Sequence, residues 1–347
     1  VGKLFGFLAV IASLLAFFFA GWMARDFFNE KNLLKRGFQT NLLRDKNPVF
    51  KRYTIPNLAK ADIRDASIEL SNVIEEKQNF ISYKFFMEFD PTLETGELKK
   101  VSGLINIPKD EGEIPLVILI RGYVDQNVYR TGVGTYRAGE YFADRGFLTI
   151  SPDFLGYGES SSESENIFET RFQTYTTMLS LLSAINKPSF ARATKSKWDG
   201  ENVFIWAHSN GGQIALTTLA ITKAEIPTTL WAPVTKPFPY SVLYYTDESD
   251  DGGKFIRSEL AKLEADYDAD LFAFNNYLLD INAKIQIHQG TADDAVNYVW
   301  NDSFSSELES LNKEVNYFKH SGADHNMNPS WDEAIELDLE FFNENKK

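Results

Sequence analysis

The run Val203-Phe-Ile-Trp-Ala-His-Ser-Asn-Gly-Gly-Gln-Ile-Ala-Leu216 constrains the fold more than any other part of this chain. Its first half is apolar and suits a buried strand, its second half suits a helix, and a serine stands between them. A strand that turns directly into a helix brings the two backbones close together, so the residues beside the turn must be small. Here they are Ala207, Gly211 and Gly212, which makes Ser209 the candidate nucleophile. The usual spacing is GxSxG; Ala207 stands in place of the first glycine and keeps the steric logic.

A nucleophilic serine needs a base, and the base needs a carboxylate to orient it. The chain holds four histidines and no cysteine, so thiol nucleophiles, disulfides and thiolate metal sites are excluded. His208 lies inside the elbow, His288 inside the strand-like run Lys284-Ile-Gln-Ile-His-Gln-Gly290, and His320 at the end of the run Val315-Asn-Tyr-Phe-Lys-His320. His325 follows on the loop Ser321-Gly-Ala-Asp-His-Asn326, ahead of a last helix from about Ser330 to Phe342, and is the expected base. Asp293 and Asp294 come just past the strand ending at Gly290; Asp293 is taken as the carboxylate, the alternative for this acidic pair being an N-cap of the next helix. Nucleophile, acid and histidine then occur in one order, each after its own strand. The oxyanion needs backbone N–H donors. One is expected from Asn210, directly after the serine, and one from Tyr123, after the apolar run Pro115-Leu-Val-Ile-Leu-Ile120, with the Tyr123 phenol as an alternative donor.

The segments LVILIRGYVDQNVYRTG, GFLTISPDFLGYGESS, WAHSNGG, IHQGTADD and GADHN together resemble the α/β-hydrolase superfamily, and within it most resemble the catalytic domain of the prolyl oligopeptidase family of serine peptidases. The resemblance runs from about Phe80 to the C-terminus. It implies a triad of Ser209, Asp293 and His325, an acyl-enzyme intermediate, no cofactor, and a peptide or ester substrate; it also matches Gly156-Tyr-Gly158 to a turn after a neighbouring strand. There are two departures. Arg121 stands where many relatives carry a histidine before the oxyanion glycine, and no β-propeller precedes the domain. A carboxylesterase or lipase is the competing enzyme, and an α/β-hydrolase-like binding protein without turnover is the competing class.

Beyond the elbow, strand and helix patterns alternate, which predicts an α/β-hydrolase fold, a mostly parallel sheet flanked by helices with ligands beyond the carboxyl ends of the strands. The catalytic domain is expected over residues 79–347. Strands are expected at Phe80 to Phe89, Lys99 to Ile107, Leu116 onward and Phe147 to Ile150, and helices near Tyr136 to Arg145 and Ile167 to Ile185. Some fifty residues separate the strand at Thr228 to Trp231 from that at Lys284, so a cap insertion is expected at about 235–283. Its Tyr240, Tyr244 and Tyr245, together with Tyr129 near the oxyanion loop, are the candidate walls of a substrate pocket, although aromatics at this density also serve as core. Asp247-Glu-Ser-Asp-Asp-Gly252 begins like a calcium loop but has Ser258 at the twelfth position, so no metal is expected there.

Leu4 to Ala24 carries no charged residue and is long enough to span a bilayer, which predicts a single-pass membrane anchor at residues 1–24. Residues 25–78 follow as a basic stalk, with a packing helix from about Asn57 to Glu76. Residues 1–60 hold ten Lys or Arg against three Asp or Glu, leaving 25 against 46, so the chain divides into +7 and −21. The acidic body argues against nucleic acid as a partner. The basic flank suits anionic lipid headgroups; by the positive-inside rule it would place the catalytic domain in the cytoplasm, whereas the short tail with Lys3 favours the opposite, extracytoplasmic orientation, which is the one expected here.

Overall fold

The computed structural model describes residues 48–347 apart from 64, 65, 95, 111, 247 and 248. The expected anchor at 4–24 and most of the basic stalk lie outside the described residues. Among the described residues, no helix is long and apolar enough to cross a membrane.

Nine strands form one sheet in the order β1-β2-β3-β5-β4-β6-β7-β8-β9. The first three, β1 (Ser67–Glu76), β2 (Phe80–Phe89) and β3 (Lys99–Pro108), pair antiparallel, and β3 pairs antiparallel with β5 (Leu148–Pro152). From β5 onward the sheet is parallel through β4 (Ile114–Ile120), β6 (Trp198–His208), β7 (Thr228–Trp231), β8 (Ile285–Gly290) and β9 (Val315–His320). The parallel strands are apolar runs because both faces are covered: Leu116, Ile118 and Ile120 face one buried cluster, Val117 and Leu119 the other.

One expectation fails at the start of this sheet. The helix expected over Asn57 to Glu76 is a single short turn, α1 (Ile55–Leu58), and Ser67–Glu76 is strand β1, so the nine-stranded sheet begins inside the segment assigned to the stalk. Its apolar residues alternate too weakly to mark a period, and the pairing with β2, which shifts register between Leu70, Val73 and Glu75, decides the outcome.

The helices follow the expected pattern more closely. They are α2 (Tyr136–Ala143), α3 (Ile167–Ile185), the short α4 (Pro188–Ala193) and α5 (Asn210–Thr222), then α6 (Tyr240–Leu243), α7 (Lys254–Asp266), α8 (Tyr298–Ser310) and α9 (Trp331–Glu344). The Asn166 side chain caps α3, accepting from the Phe168 and Glu169 amides at 2.9 and 3.1 Å. Helix α5 is buried along most of its length, from Gly211 to Ile221, because it leaves the elbow directly beneath α3 and the insertion. That insertion does not stand off the domain as a lid. Phe238 packs on Phe168 and Phe172, Phe272 stacks on Phe172 at 4.7 Å, and Leu260, Leu263 and Leu278 join the same core.

Candidate active site

Ser209 sits between the last residue of β6 and the first of α5 with φ 56° and ψ −122°, a left-handed conformation that costs a non-glycine residue about 1–3 kcal/mol unless its surroundings impose it. They do so here. The Ser209 amide donates to Trp231 O at 2.8 Å, and its carbonyl accepts from the amides of Gly212 and Val234 at 2.9 and 3.0 Å. The small residues are required as the sequence suggested: a Cβ on Gly211 would lie 2.2 Å from Ile120 O, and one on Gly212 would lie 2.5 Å from Pro233 Cβ.

The acid and the histidine meet. His325 Nδ1 donates to Asp293 at 2.9 Å to Oδ2 and 3.0 Å to Oδ1. The Asp293 side chain is fully buried, and it also accepts from the Ala295 and Val296 amides and from Gln289 Nε2 at 3.0 Å. Burial would raise its pKa, but the hydrogen bonds from His325 and Val296 outweigh that and hold it below the usual carboxylate range. With Nδ1 committed, His325 Nε2 is left without a partner among the described residues, which is the nitrogen able to take a proton. Asp294 is exposed, and the cap of α8 is Asn297, whose side chain accepts from Val299 N at 3.0 Å. The acidic pair is therefore no helix cap.

His208 supports the histidine loop from below. Its Nε2 donates to His325 O at 2.9 Å, and burial, reinforced by the neighbouring His325, lowers its pKa to about 4, so it is neutral. The loops carrying Asp293 and His325 are tied together as well: the Ala292 amide donates to Ala323 O at 3.0 Å, and a Cβ on Gly290 would lie 2.3 Å from that same oxygen.

On the opposite side of the serine, Gly122 approaches so closely that a Cβ there would fall 2.9 Å from Ser209 Cβ. The amide of Asn210, at the first position of α5, lies beyond the reach of intrahelical acceptors. The Gly122–Tyr123 peptide is oriented by a residue that the sequence reading noted only as a departure. Arg121 Nη1 donates to Gly122 O at 2.9 Å, and because that peptide is planar and trans, the Tyr123 N–H points the other way. The guanidinium is itself held: Nη2 donates to Asp153 O at 2.8 Å, and the rings of Tyr157 and Tyr129 lie 3.9 and 4.7 Å from it. Asp153, fully buried, accepts from Tyr129 OH and Ser102 Oγ at 2.6 Å and from Thr131 Oγ1 at 2.7 Å. An arginine ending an apolar strand and an aspartate directly after another were the available signals for this cluster.

Two expectations about the pocket change. Tyr129 was expected as a wall, but its hydroxyl is spent on Asp153, and burial with that carboxylate pushes the phenol pKa up. Tyr240, Tyr244 and Tyr245 form an aromatic group with Trp300, Tyr244 lying 4.6 Å from it, and Tyr245 OH donates to Ala295 O on the acid loop. None of the four lines the cavity that opens beside Tyr123 and Asn210, a space of about 160 Å³ walled by Phe154, Leu155, Ile167, Arg171 and Ile214 among others.

No family model matches the chain, and no curated protein matches it. Solved structures do. An acetyl xylan esterase from Paenibacillus sp. R4 superposes with a TM-score of 0.60 at 15% identity, over 86% of this chain and 96% of that one. Acetyl xylan esterase 1 from Thermoanaerobacterium sp. JW/SL YS485 gives 0.55 at 16% identity, over 84% and 93%. A puromycin-hydrolyzing peptidase from Mycobacterium tuberculosis gives 0.53 at 14% identity, over 76% of this chain but only 45% of that one. The strand order, the strained serine between β6 and α5 and these superpositions agree: the chain has the α/β-hydrolase fold.

Proposed function

We propose that the protein is a serine hydrolase that cleaves esters of short acyl groups through a covalent acyl-enzyme. The observation that carries this is the hydrogen bond between His325 and Asp293, and it is supported by a serine held at a positive φ with a glycine pressed against it. In the first step Ser209 Oγ attacks the substrate carbonyl carbon while His325 Nε2 takes its proton. The Asn210 and Tyr123 amides hold the oxyanion, and Asp293 orients the imidazole and stabilises its charged form. The tetrahedral intermediate collapses, the bond to the leaving oxygen breaks, and the alcohol departs with the proton from His325. Water, deprotonated by the same histidine, then attacks the acyl-enzyme and releases the acid. Ser209 Oγ makes no hydrogen bond to another described residue, and the contact to His325 is one expected to close in the substrate complex.

The small cavity and the two acetyl xylan esterases among the similar structures favour an ester; the peptidase among them supports the second reading, a prolyl oligopeptidase-like peptidase using the same groups. Part of the proposal is a membrane tether through the uncharged run from Leu4 to Ala24, with the catalytic body outside the cytoplasm. A fluorophosphonate should label Ser209 in the full chain and leave Ser209→Ala unlabelled. Hydrolysis of p-nitrophenyl acetate should exceed that of a prolyl peptide amide, and the reverse order would favour the peptidase. Absence of any labelling would leave a binding protein. Extraction of the full chain by carbonate would remove the tether without touching the rest.

A further inference from the structure

The cavity beside the oxyanion donors has an unusual charge for this molecule. The chain is acidic overall, with a formal net charge of −14, yet the cavity is lined by Arg121 and Arg171 and by no aspartate or glutamate. The two arginines differ. Arg121 is committed to the Gly122 and Asp153 carbonyls, with the Asp153 carboxylate close behind. Arg171, on the first turns of α3, is bound to the neutral Gln213 side chain and pairs with no carboxylate among the described residues. The Nε atoms of both arginines are buried without a hydrogen-bond partner. A guanidinium in a mostly apolar pocket without a counter-ion is poorly satisfied, because its N–H fork is built for a carboxylate and the desolvated charge has nothing to offset it. On the opposite account, Gln173 Oε1 in the same wall is a buried acceptor lacking a donor, and it would take a hydroxyl or N–H placed beside the anion.

We infer that the acyl group taken by this enzyme carries a carboxylate, which Arg171 receives in the cavity next to Tyr123 and Asn210. This rests on the hydrolase reading above and narrows it to short dicarboxylic half-esters. The size agrees: about 160 Å³ holds roughly six heavy atoms, a cavity of about 150 Å³ being enough for benzene. A glutaryl group places three methylenes and a carboxylate beyond its reacting carbon, which is that many. The apolar walls Phe154, Leu155 and Ile214 would cover the methylenes, and the guanidiniums in the lining would offset the repulsion that the net charge of −14 exerts on an anion.

The test compares monoethyl glutarate with ethyl glutaramate, a neutral isostere, by ethanol release from the full-length protein. Wild type should favour the anionic ester in kcat/KM by at least about tenfold, less so at high salt. Arg171→Gln should bring that ratio to one or below, and Arg171→Lys should restore part of it. Because the ratio is taken within each protein, a general loss of stability or activity in a variant does not mimic the effect. A wild-type ratio of one or less, in a protein whose Ser209 takes up a fluorophosphonate, would overturn the anionic acyl group and leave the hydrolase standing. A ratio that persists in Arg171→Gln would overturn the role of Arg171. Failure to cleave either ester together with failure to label would remove the hydrolase reading, and this one with it.

Discussion

Two histidine–aspartate pairs sit within one molecule, and by hydrogen-bond length they are alike. His325 Nδ1 lies 2.9 Å from Asp293 Oδ2, and His288 Nε2 lies 3.0 Å from Asp338 Oδ1. The difference lies at the other ring nitrogen. Asp338 is acceptor to three donors, Trp231 Nε1 at 2.6 Å, Gln286 Nε2 at 3.0 Å and His288 Nε2, so the His288 ring turns its Nε2 to the carboxylate and its Nδ1 away from it. That Nδ1 is already hydrogen-bonded to His320 Nε2 at 2.9 Å, and the His288 ring is fully buried between strand and helix. His325 presents the opposite case, with its far nitrogen unpartnered and its side chain 19% exposed. A carboxylate therefore orients both rings, but among the described residues only the His325 ring keeps its far nitrogen free for a proton. The His288–Asp338 pair ties β8 and β9 to α9; the His325–Asp293 pair sits on the loops that those same two strands deliver.

The largest expected effect breaks this comparison at the carboxylates. Asp293→Asn should lower kcat about 10⁴-fold, since an amide leaves His325 in the wrong tautomer, with little change in unfolding midpoint. Asp294→Asn, at an exposed side chain with no partner among the described residues, should cost less than about tenfold. If the two aspartates cost the same, Asp293 supports the loop rather than the histidine.

A second test sharpens the oxyanion side. Arg121→Gln removes the donor that holds Gly122 O, so the Tyr123 amide loses its orientation, and kcat should fall about 10²-fold with KM for a neutral acetyl ester nearly unchanged. A rise in KM at constant kcat would show Arg121 as a binding group instead of a positioning residue.

The reciprocal change in the buried pair should leave chemistry alone. Asp338→Asn strands a donor among Trp231, Gln286 and His288, and should cost about 1–3 kcal/mol in urea unfolding, while turnover per folded molecule stays within about threefold. Loss of turnover without loss of stability would mean the two pairs are coupled.

What the sequence made legible was what local rules govern. The elbow could be read because Gly211 and Gly212 each meet a neighbour at a distance no larger residue allows, and the strand-then-loop pattern pointed to Asp293 and His325, which the fold brings together. Helix α3 was legible end to end, because its cap and its apolar residues are neighbours in sequence. Strand β1 was not, since its partner β2 and not its own composition makes it a strand. The Arg121–Asp153 cluster was hidden for a similar reason: it joins residues from β3, the loop after β4 and the end of β5, and no spacing along one segment records that meeting. The place of the insertion tyrosines was not legible because aromatic density signals burial and contact equally, and here it builds a group around Trp300.

The smallest effect concerns pH and distinguishes the histidine that supports the loop from the one on it. His208 has its pKa lowered from 6.5 to about 4 in the folded protein, chiefly by burial. In the unfolded chain it protonates as the pH falls through about 6.5, while the native protein refuses that proton until about pH 4. Between these values the unfolded state binds more protons, so stability should fall on acidification and level off, for this group, below the lower value. Comparison of urea unfolding at pH 7.5 and pH 5 should show a loss of about 1–2 kcal/mol attributable to His208, allowing for its partial contact with solvent. His208→Gln keeps an N–H able to reach His325 O but cannot titrate, so its loss over the same interval should be smaller by that amount. His320, whose pKa burial also lowers, stays in both proteins and cancels in the difference. An identical slope in the two proteins would show that His208 does not carry the acid sensitivity, and that its contact with His325 O holds whether or not the ring can titrate.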